Sequence, residues 1–168
     1  MKKLSVGILG FGTVGGGTYE ILTKNHDLIT QRTGVSIDVV KALVRKHREG
    51  IPAHLTTEDP DDILKDPSID VVVETMGGIE PATAFMLQAM ENGKHVVTAN
   101  KAAVAANYEK LQAAAAKNQV QFLFEASVGG GIPVLTAIQN ALQGNAFLEV
   151  MGIVNGTTNY ILTKMTED

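Results

Sequence analysis

Leu4-Ser5-Val6-Gly7-Ile8-Leu9-Gly10-Phe11-Gly12-Thr13-Val14-Gly15 is the stretch that decides the fold. An apolar run from Leu4 to Leu9 leads directly into Gly-x-Gly-x-x-Gly at Gly10, Gly12 and Gly15, and a helical stretch from Gly16 to about His26 follows. Strand, glycine turn and helix in that order are what a dinucleotide-binding crossover needs. Gly10 permits the tight turn, Gly12 lets the backbone approach a pyrophosphate, and Gly15 lets the helix pack close to the strand. The unpaired N–H groups and positive end of that helix then face the phosphates. The competing interpretation is a glycine-rich turn that only joins a buried strand to a helix.

Working outward, strands and helices alternate. Ile37 to Val44 reads as the second strand and ends at Arg45-Lys46, and the polar segment His47 to Pro60 carries a short strand at His54 to Thr57. Asp59-Pro60 opens a short helix with Ile63-Leu64 as its apolar pair. Asp70-Val71-Val72-Val73-Glu74 is almost all β-branched, the pattern of a strand covered on both faces. Pro81 starts a helix to about Asn92, which Gly93 stops. His95 to Thr98 is a strand, Asn107 to Lys117 an alanine-rich helix, and Val120 to Phe124 a further strand. The class is α/β: a Rossmann-type, doubly wound, mostly parallel sheet. Residues 1–130 form the dinucleotide-binding domain. Residues 131–168 differ in character, with a helix at Val134 to Leu142, a strand at Phe147 to Val154 and a helical start at Gly156. They read as the incomplete beginning of a second, α+β domain for substrate binding and dimerisation.

Composition bounds the function. The 168 residues are 45% hydrophobic and 19% charged, as expected of one folded, soluble core. A net charge of −4 gives no general attraction to nucleic acid or an anionic membrane. The absence of cysteine excludes disulfides, thiolate metal sites and a cysteine nucleophile. Met1-Lys2-Lys3 is charged like the start of a signal peptide, but the apolar run behind it is too short. A cytoplasmic protein is the expectation.

Three strand ends carry candidate chemistry. Arg45-Lys46 stands where a dinucleotide fold meets the adenosine ribose. An NAD-selective fold places Asp or Glu there, whereas two cations suit the 2′-phosphate of NADP. Thr75, Thr98 and Lys101 follow the next two strands, at the edge where open sheets bind ligands. Lys101 there can hold the nicotinamide ribose or a substrate oxygen, or act as an acid near a reacting carbonyl. A solvent-facing loop cation is the alternative. Glu125, followed by the glycine-rich loop to Pro133, offers one carboxylate and flexible carbonyls to a hard cation. The alternating reach of the carbonyls favours Val128, Gly130 and Ile132. Capping of the following helix by Glu125 is the alternative. The histidines His26, His47, His54 and His95 show neither ligand spacing nor an acidic partner.

Taken together, Val6 to Gly15, Leu43 to Lys46, Glu74 to Gly78, Val97 to Lys101, Glu125 to Pro133 and Gly152 to Ile161 resemble the homoserine dehydrogenase family, in the family's order and over almost the whole chain. The resemblance implies reversible hydride transfer between L-homoserine and L-aspartate 4-semialdehyde, on the route to threonine and methionine, with NADP (or NAD) as carrier. It implies that Gly10, Phe11, Gly12, Thr13, Val14 and Gly15 hold the pyrophosphate. Arg45 with Lys46 would meet the 2′-phosphate, and Thr75, Thr98 and Lys101 would line the nicotinamide side, Lys101 also as the catalytic residue. Glu125 with the carbonyls of Val128, Gly130 and Ile132 is similar to the family's monovalent-cation site, normally sodium. The family's substrate carboxylates and second catalytic lysine come after Asn155-Gly156-Thr157, beyond Asp168. The expectation is a cofactor-binding portion of a homo-oligomeric enzyme, inactive alone. The alternatives are another NADP-linked reductase with the same first domain, or a non-catalytic NADPH-binding module.

Overall fold

The structure, a computed structural model, describes residues 2–46, 50–153 and 155–167. His47 and Val154, to which the sequence assigns an ordinary histidine and a strand end, lie outside the described residues. Six parallel strands form one sheet in the order β3-β2-β1-β4-β5-β6. They are β1 (Lys2–Leu9), β2 (Val35–Leu43), β3 (Thr56–Thr57), β4 (Val71–Glu74), β5 (His95–Thr98) and β6 (Phe122–Leu123). The order reverses direction between β1 and β4, so the sheet is a doubly wound α/β fold with its switch point at the end of β1.

Strand alternation feeds two cores. On one face Leu9, Val72 and Val96 pack with Ile63 and Leu64 of α3 (Asp61–Leu64), Met86 and Met90 of α4 (Ala82–Glu91) and Leu111 of α5 (Lys101–Asn118). Each such side chain, fully removed from water, contributes about 1.5–3 kcal/mol of transfer free energy. On the other face Val6, Ile8 and Val73 meet Phe11, and Phe11 lies edge-on to Tyr19 of α1 (Thr13–Lys24), with ring centroids 5.7 Å apart. α1 covers only part of that face. Over β4 and β5 an apolar trough of about 490 Å³ opens, lined by Val6, Val71, Val73, Val97 and Leu123 among others.

Several sequence expectations are corrected. The first helix begins at Thr13, not Gly16, because the Gly16 amide already bonds the Gly12 carbonyl at 2.8 Å. A separate helix α2 (His26–Thr33) follows and ends at Gly34, whose φ of 73° closes it. α5 starts six residues before the expected Asn107. Asn100 caps it by accepting from the Ala103 amide, and its expected start, Asn107 (φ −135°), is an interior kink. Beyond β6, α6 (Val134–Thr136) runs into one π-turn at Ala137–Ala141.

Residues 147–153 form no strand. A strand needs a neighbour for its backbone groups, and among the described residues no strand pairs with this segment. Leu148 and Val150 are 98% and 78% exposed. The segment leads to α7 (Gly156–Glu167), which is exposed throughout. Among the described residues no helix is long and apolar enough to cross a membrane.

His26 is also corrected. It has acidic neighbours, with Asp27 at 3.2 Å from Nδ1 and Asp38 at 3.5 Å from Nε2, and Nε2 lies 3.0 Å from Ser36 Oγ. Ser36 donates to Asp38 at 3.1 Å, so its proton is engaged away from the imidazole. The group fastens α2 to β2 at the sheet end remote from the glycine turn.

Candidate dinucleotide site

Parallel register builds the site. Leu43 pairs with Leu9, Leu9 with Glu74, and Glu74 with Thr98. Four strands therefore end in one row, and whatever follows each of them shares one edge: Val44-Arg45, Gly10 to Gly15, Thr75 to Gly78, and Ala99 to Lys101.

The turn is tightly specified. Gly10 has φ of +96°, a conformation that disfavours side chains. A Cβ at Gly15 would lie 2.0 Å from the Gly10 carbonyl oxygen and 2.7 Å from Thr75 Oγ1. At Gly12 a Cβ would meet nothing within 4 Å among the described residues. Gly10 and Gly15 thus serve the fold, while Gly12 keeps space open in front of the first turn of α1. Its N-terminal amides carry no acidic side chain in that first turn, which leaves the positive end of a twelve-residue helix for an anion. A cradle lined by N–H groups at a helix start fits a pyrophosphate.

Thr75 clasps this turn from β4. Its amide donates to the Leu9 carbonyl at 2.9 Å and its hydroxyl to the Gly10 carbonyl at 2.7 Å. A cavity of about 230 Å³ lies beside the turn, lined by Gly10, Phe11, Gly12, Leu43, Val44, Arg45, Thr75 and Met76. Arg45 and Lys46 are both exposed, and Arg45 is the one on the cavity wall. Thr75 also lines the larger trough, together with Val14, Thr98, Ala99 and Ala126. The two spaces meet at Thr75.

Lys101 is the first residue of α5 and is exposed. The structure brings it to the same edge as Thr98, which is fully buried. Two residues outside the sequence-based site organise this corner. Glu74, 0% exposed, accepts from the Thr98 hydroxyl, and Asn100 both caps α5 and donates to the Gly78 carbonyl at 2.6 Å. A glutamate closing an all-valine strand was the signal available for Glu74, whereas Asn100, well ahead of the expected helix start, gave none.

Glu125 lies apart, in a 3₁₀ turn after β6. Its Oε1 accepts from the Leu135 amide at 3.0 Å, and its Oε2 from the Thr136 amide and hydroxyl, each at 2.6 Å. The Ile132 carbonyl accepts from the Val134 amide at 2.9 Å. The carboxylate therefore caps α6, the alternative that the sequence left open. The Thr136 hydroxyl, aided by the Thr136 and Leu135 amides, holds the Glu125 carboxyl below its usual range. A folded value below the unfolded one means that this stabilisation is present above the unfolded value and lost as pH falls through the folded one. Glu125→Ala should lower the thermal midpoint near neutrality, and the gap to the unsubstituted chain should close below the ordinary glutamate range. A gap independent of pH would exclude the ionised cap.

The family model described as "Homoserine dehydrogenase, NAD binding domain" matches residues 10–125. The chain belongs to the homoserine dehydrogenase family. A second model, described as "Homoserine dehydrogenase", matches residues 133–168. Over its whole length the chain is 41% identical to homoserine dehydrogenase of Bacillus subtilis, of which it covers 40%. It is 45% identical to that of Pseudomonas aeruginosa over 99% of its length, covering 39% of the relative. The solved homoserine dehydrogenase of Thiobacillus denitrificans matches all of the chain with a TM-score of 0.92 and 47% identity, and the chain covers 40% of it. A hyperthermophilic archaeal homoserine dehydrogenase in complex with NADPH matches 98% of the chain with a TM-score of 0.77 and 25% identity, 57% of that structure being covered. The chain thus spans about 40% of the length of the curated homoserine dehydrogenases it matches.

Proposed function

We propose that these residues are the cofactor-holding portion of an NADP-linked homoserine dehydrogenase, which interconverts L-homoserine and L-aspartate 4-semialdehyde. The observation that carries the proposal is the single row Leu43, Leu9, Glu74 and Thr98. It gathers a basic corner, a glycine cradle and a lysine onto one sheet edge.

Along that edge the adenosine half belongs in the smaller cavity with Arg45 at its wall and Lys46 nearby, the pyrophosphate at Gly10 to Gly15, and the nicotinamide half toward Thr75, Thr98 and Lys101. When bound, the nicotinamide ring carries the hydride. The residues present orient it. The backbone N–H groups of Thr13, Val14 and Gly15 take the phosphate charge, and Lys101 supplies a cation to the ribose or to the substrate oxygen. NADP is favoured over NAD because the basic pair replaces the acid that would accept from a 2′-hydroxyl.

We place the boundary between the cofactor domain and the beginning of a substrate and dimerisation domain near residue 130. The described residues after it bury little, and Leu148, Val150, Met151 and Ile153 are 77–98% exposed, in keeping with a homo-oligomer of the whole protein. The 168 residues are expected to bind cofactor without turning over. NADPH-dependent reduction of aspartate semialdehyde by this chain alone would overturn that expectation.

A monovalent cation, sodium first, remains our proposal for Glu125 with the carbonyls of Val128, Gly130 and Ile132. Among the described residues the Leu135 amide is the hydrogen bond resolved at Oε1, and a carboxylate oxygen can accept a further partner. The Glu125 carboxylate and the Ile132 carbonyl already serve the helix start, so an ion would have to share them. Amide exchange at Leu135 and Thr136 that slows when sodium replaces choline would support the shared site. Equal exchange in both salts would leave Glu125 a helix cap only.

A further inference from the structure

Glu74 stands where the strand pattern calls for another valine. It ends Val71-Val72-Val73, it is wholly removed from water, and among the described residues it forms no ion pair. A buried carboxylate is costly unless its oxygens are hydrogen-bonded, and an apolar residue would fill the same place without that cost. Its hydrogen bonds show what the cost secures. Oε2 accepts from Thr98 Oγ1 at 2.6 Å, while Oε1 accepts from the Met76 amide at 2.7 Å and from Asn100 Nδ2 at 3.4 Å. The Asn100 amide donates to Thr98 Oγ1 at 3.0 Å, and Asn100 Oδ1 accepts from the Ala103 amide at the start of α5. One side chain therefore fixes the loop after β4, the end of β5 and the helix start that carries Lys101. The glycine turn is held by the Thr75 amide and hydroxyl, and the Met76 amide is the one Glu74 contact that borders it.

We propose that Glu74 is the positioning residue for the nicotinamide half of the dinucleotide, acting through Thr98 and Asn100 on the edge that carries Lys101, with a smaller influence on the adenosine half, which it reaches through the Met76 amide. The proposal rests on the NADP reading above. Two ligands separate the halves: NADPH, and adenosine 2′,5′-bisphosphate, which lacks the nicotinamide nucleotide. Glu74→Gln keeps the shape and one acceptor but cannot accept at both oxygens.

In calorimetric titrations of the 168-residue chain, Glu74→Gln should bind the bisphosphate within about twofold of the unsubstituted chain and NADPH about tenfold more weakly. Asn100→Asp keeps a capping oxygen for α5 but sets a second carboxylate against Glu74 and removes the donor to Gly78. It should show the same selective loss, and amide exchange at Met76 should accelerate in Glu74→Gln. Equal losses for both ligands, or none, would overturn the proposal, and so would unfolding of both variants, since Glu74 would then be a structural residue. An unsubstituted chain that binds neither ligand would overturn the NADP reading itself and the proposal with it.

Discussion

Gly12→Ala should weaken dinucleotide binding about a hundredfold in a chain that still folds, and Gly15→Ala should damage the fold itself. The two glycines stand three residues apart in one motif, yet their surroundings are opposite. At Gly15 a methyl group would sit 2.0 Å from the Gly10 carbonyl oxygen and 2.7 Å from Thr75 Oγ1. Neither is the free end of a flexible side chain. The oxygen belongs to the turn, and the hydroxyl is bonded to that same oxygen. Relief requires α1 to move off β1, at a cost of about 3 kcal/mol or more. For a domain of this size that corresponds to a thermal midpoint lower by about 6–12 °C.

At Gly12 a methyl group meets nothing within 4 Å among the described residues, and φ of −83° with ψ of −157° is open to any residue. Stability should therefore change by less than about 0.5 kcal/mol. On the proposed reading, the space it fills is the one a pyrophosphate takes. NADPH affinity should fall by about a hundredfold, the scale of losing two charge-assisted hydrogen bonds. Thermal unfolding and calorimetric titration on the same two variants check both halves. Gly12→Ala that still binds NADPH within about threefold would remove the pyrophosphate from this turn.

Arg45→Ala should erase the preference for NADPH. Arg45 is the exposed cation on the wall of the 230 Å³ cavity, immediately past the end of β2. A guanidinium bonded to a phosphate contributes about 1.5–3 kcal/mol, so NADPH affinity should fall about ten- to a hundredfold. NADH affinity should barely move. The loss should shrink as ionic strength rises, because an exposed pair is screened within about 8 Å at physiological salt. A preference for NADPH that survives the substitution would assign the 2′-phosphate elsewhere, with Lys46 the next residue to replace.

Legibility followed locality. The strand ends at Leu9, Glu74 and Thr98 were readable because β-branched runs stop at glycine or polar residues. The beginning of α5 was not, because the capping bond from the Ala103 amide to Asn100 looks in sequence like any loop asparagine. The segment 147–153 failed in the other direction. Its residues have strand character, but a strand exists only with a neighbour, and that neighbour cannot be read from the segment. His26 looked isolated for a similar reason, since Asp38 and Ser36 come to it across α2 and β2. At Glu125 the residues allowed two uses. The three-dimensional arrangement put the Leu135 and Thr136 donors on the carboxylate, ten and eleven residues further on.

By itself, the sequence determined the α/β class and the glycine turn between the first strand and helix, and it set a basic pair just past the second strand. Hydrophobic period, glycine spacing and a basic pair are properties of adjacent residues. Only the tertiary structure decided that Thr75 clasps the turn and that Glu74 joins two loops. Those facts depend on parallel register, which aligns Leu43, Leu9, Glu74 and Thr98 from four separated strands. Register is set by the packing of whole strands and helices, and no local stretch contains it.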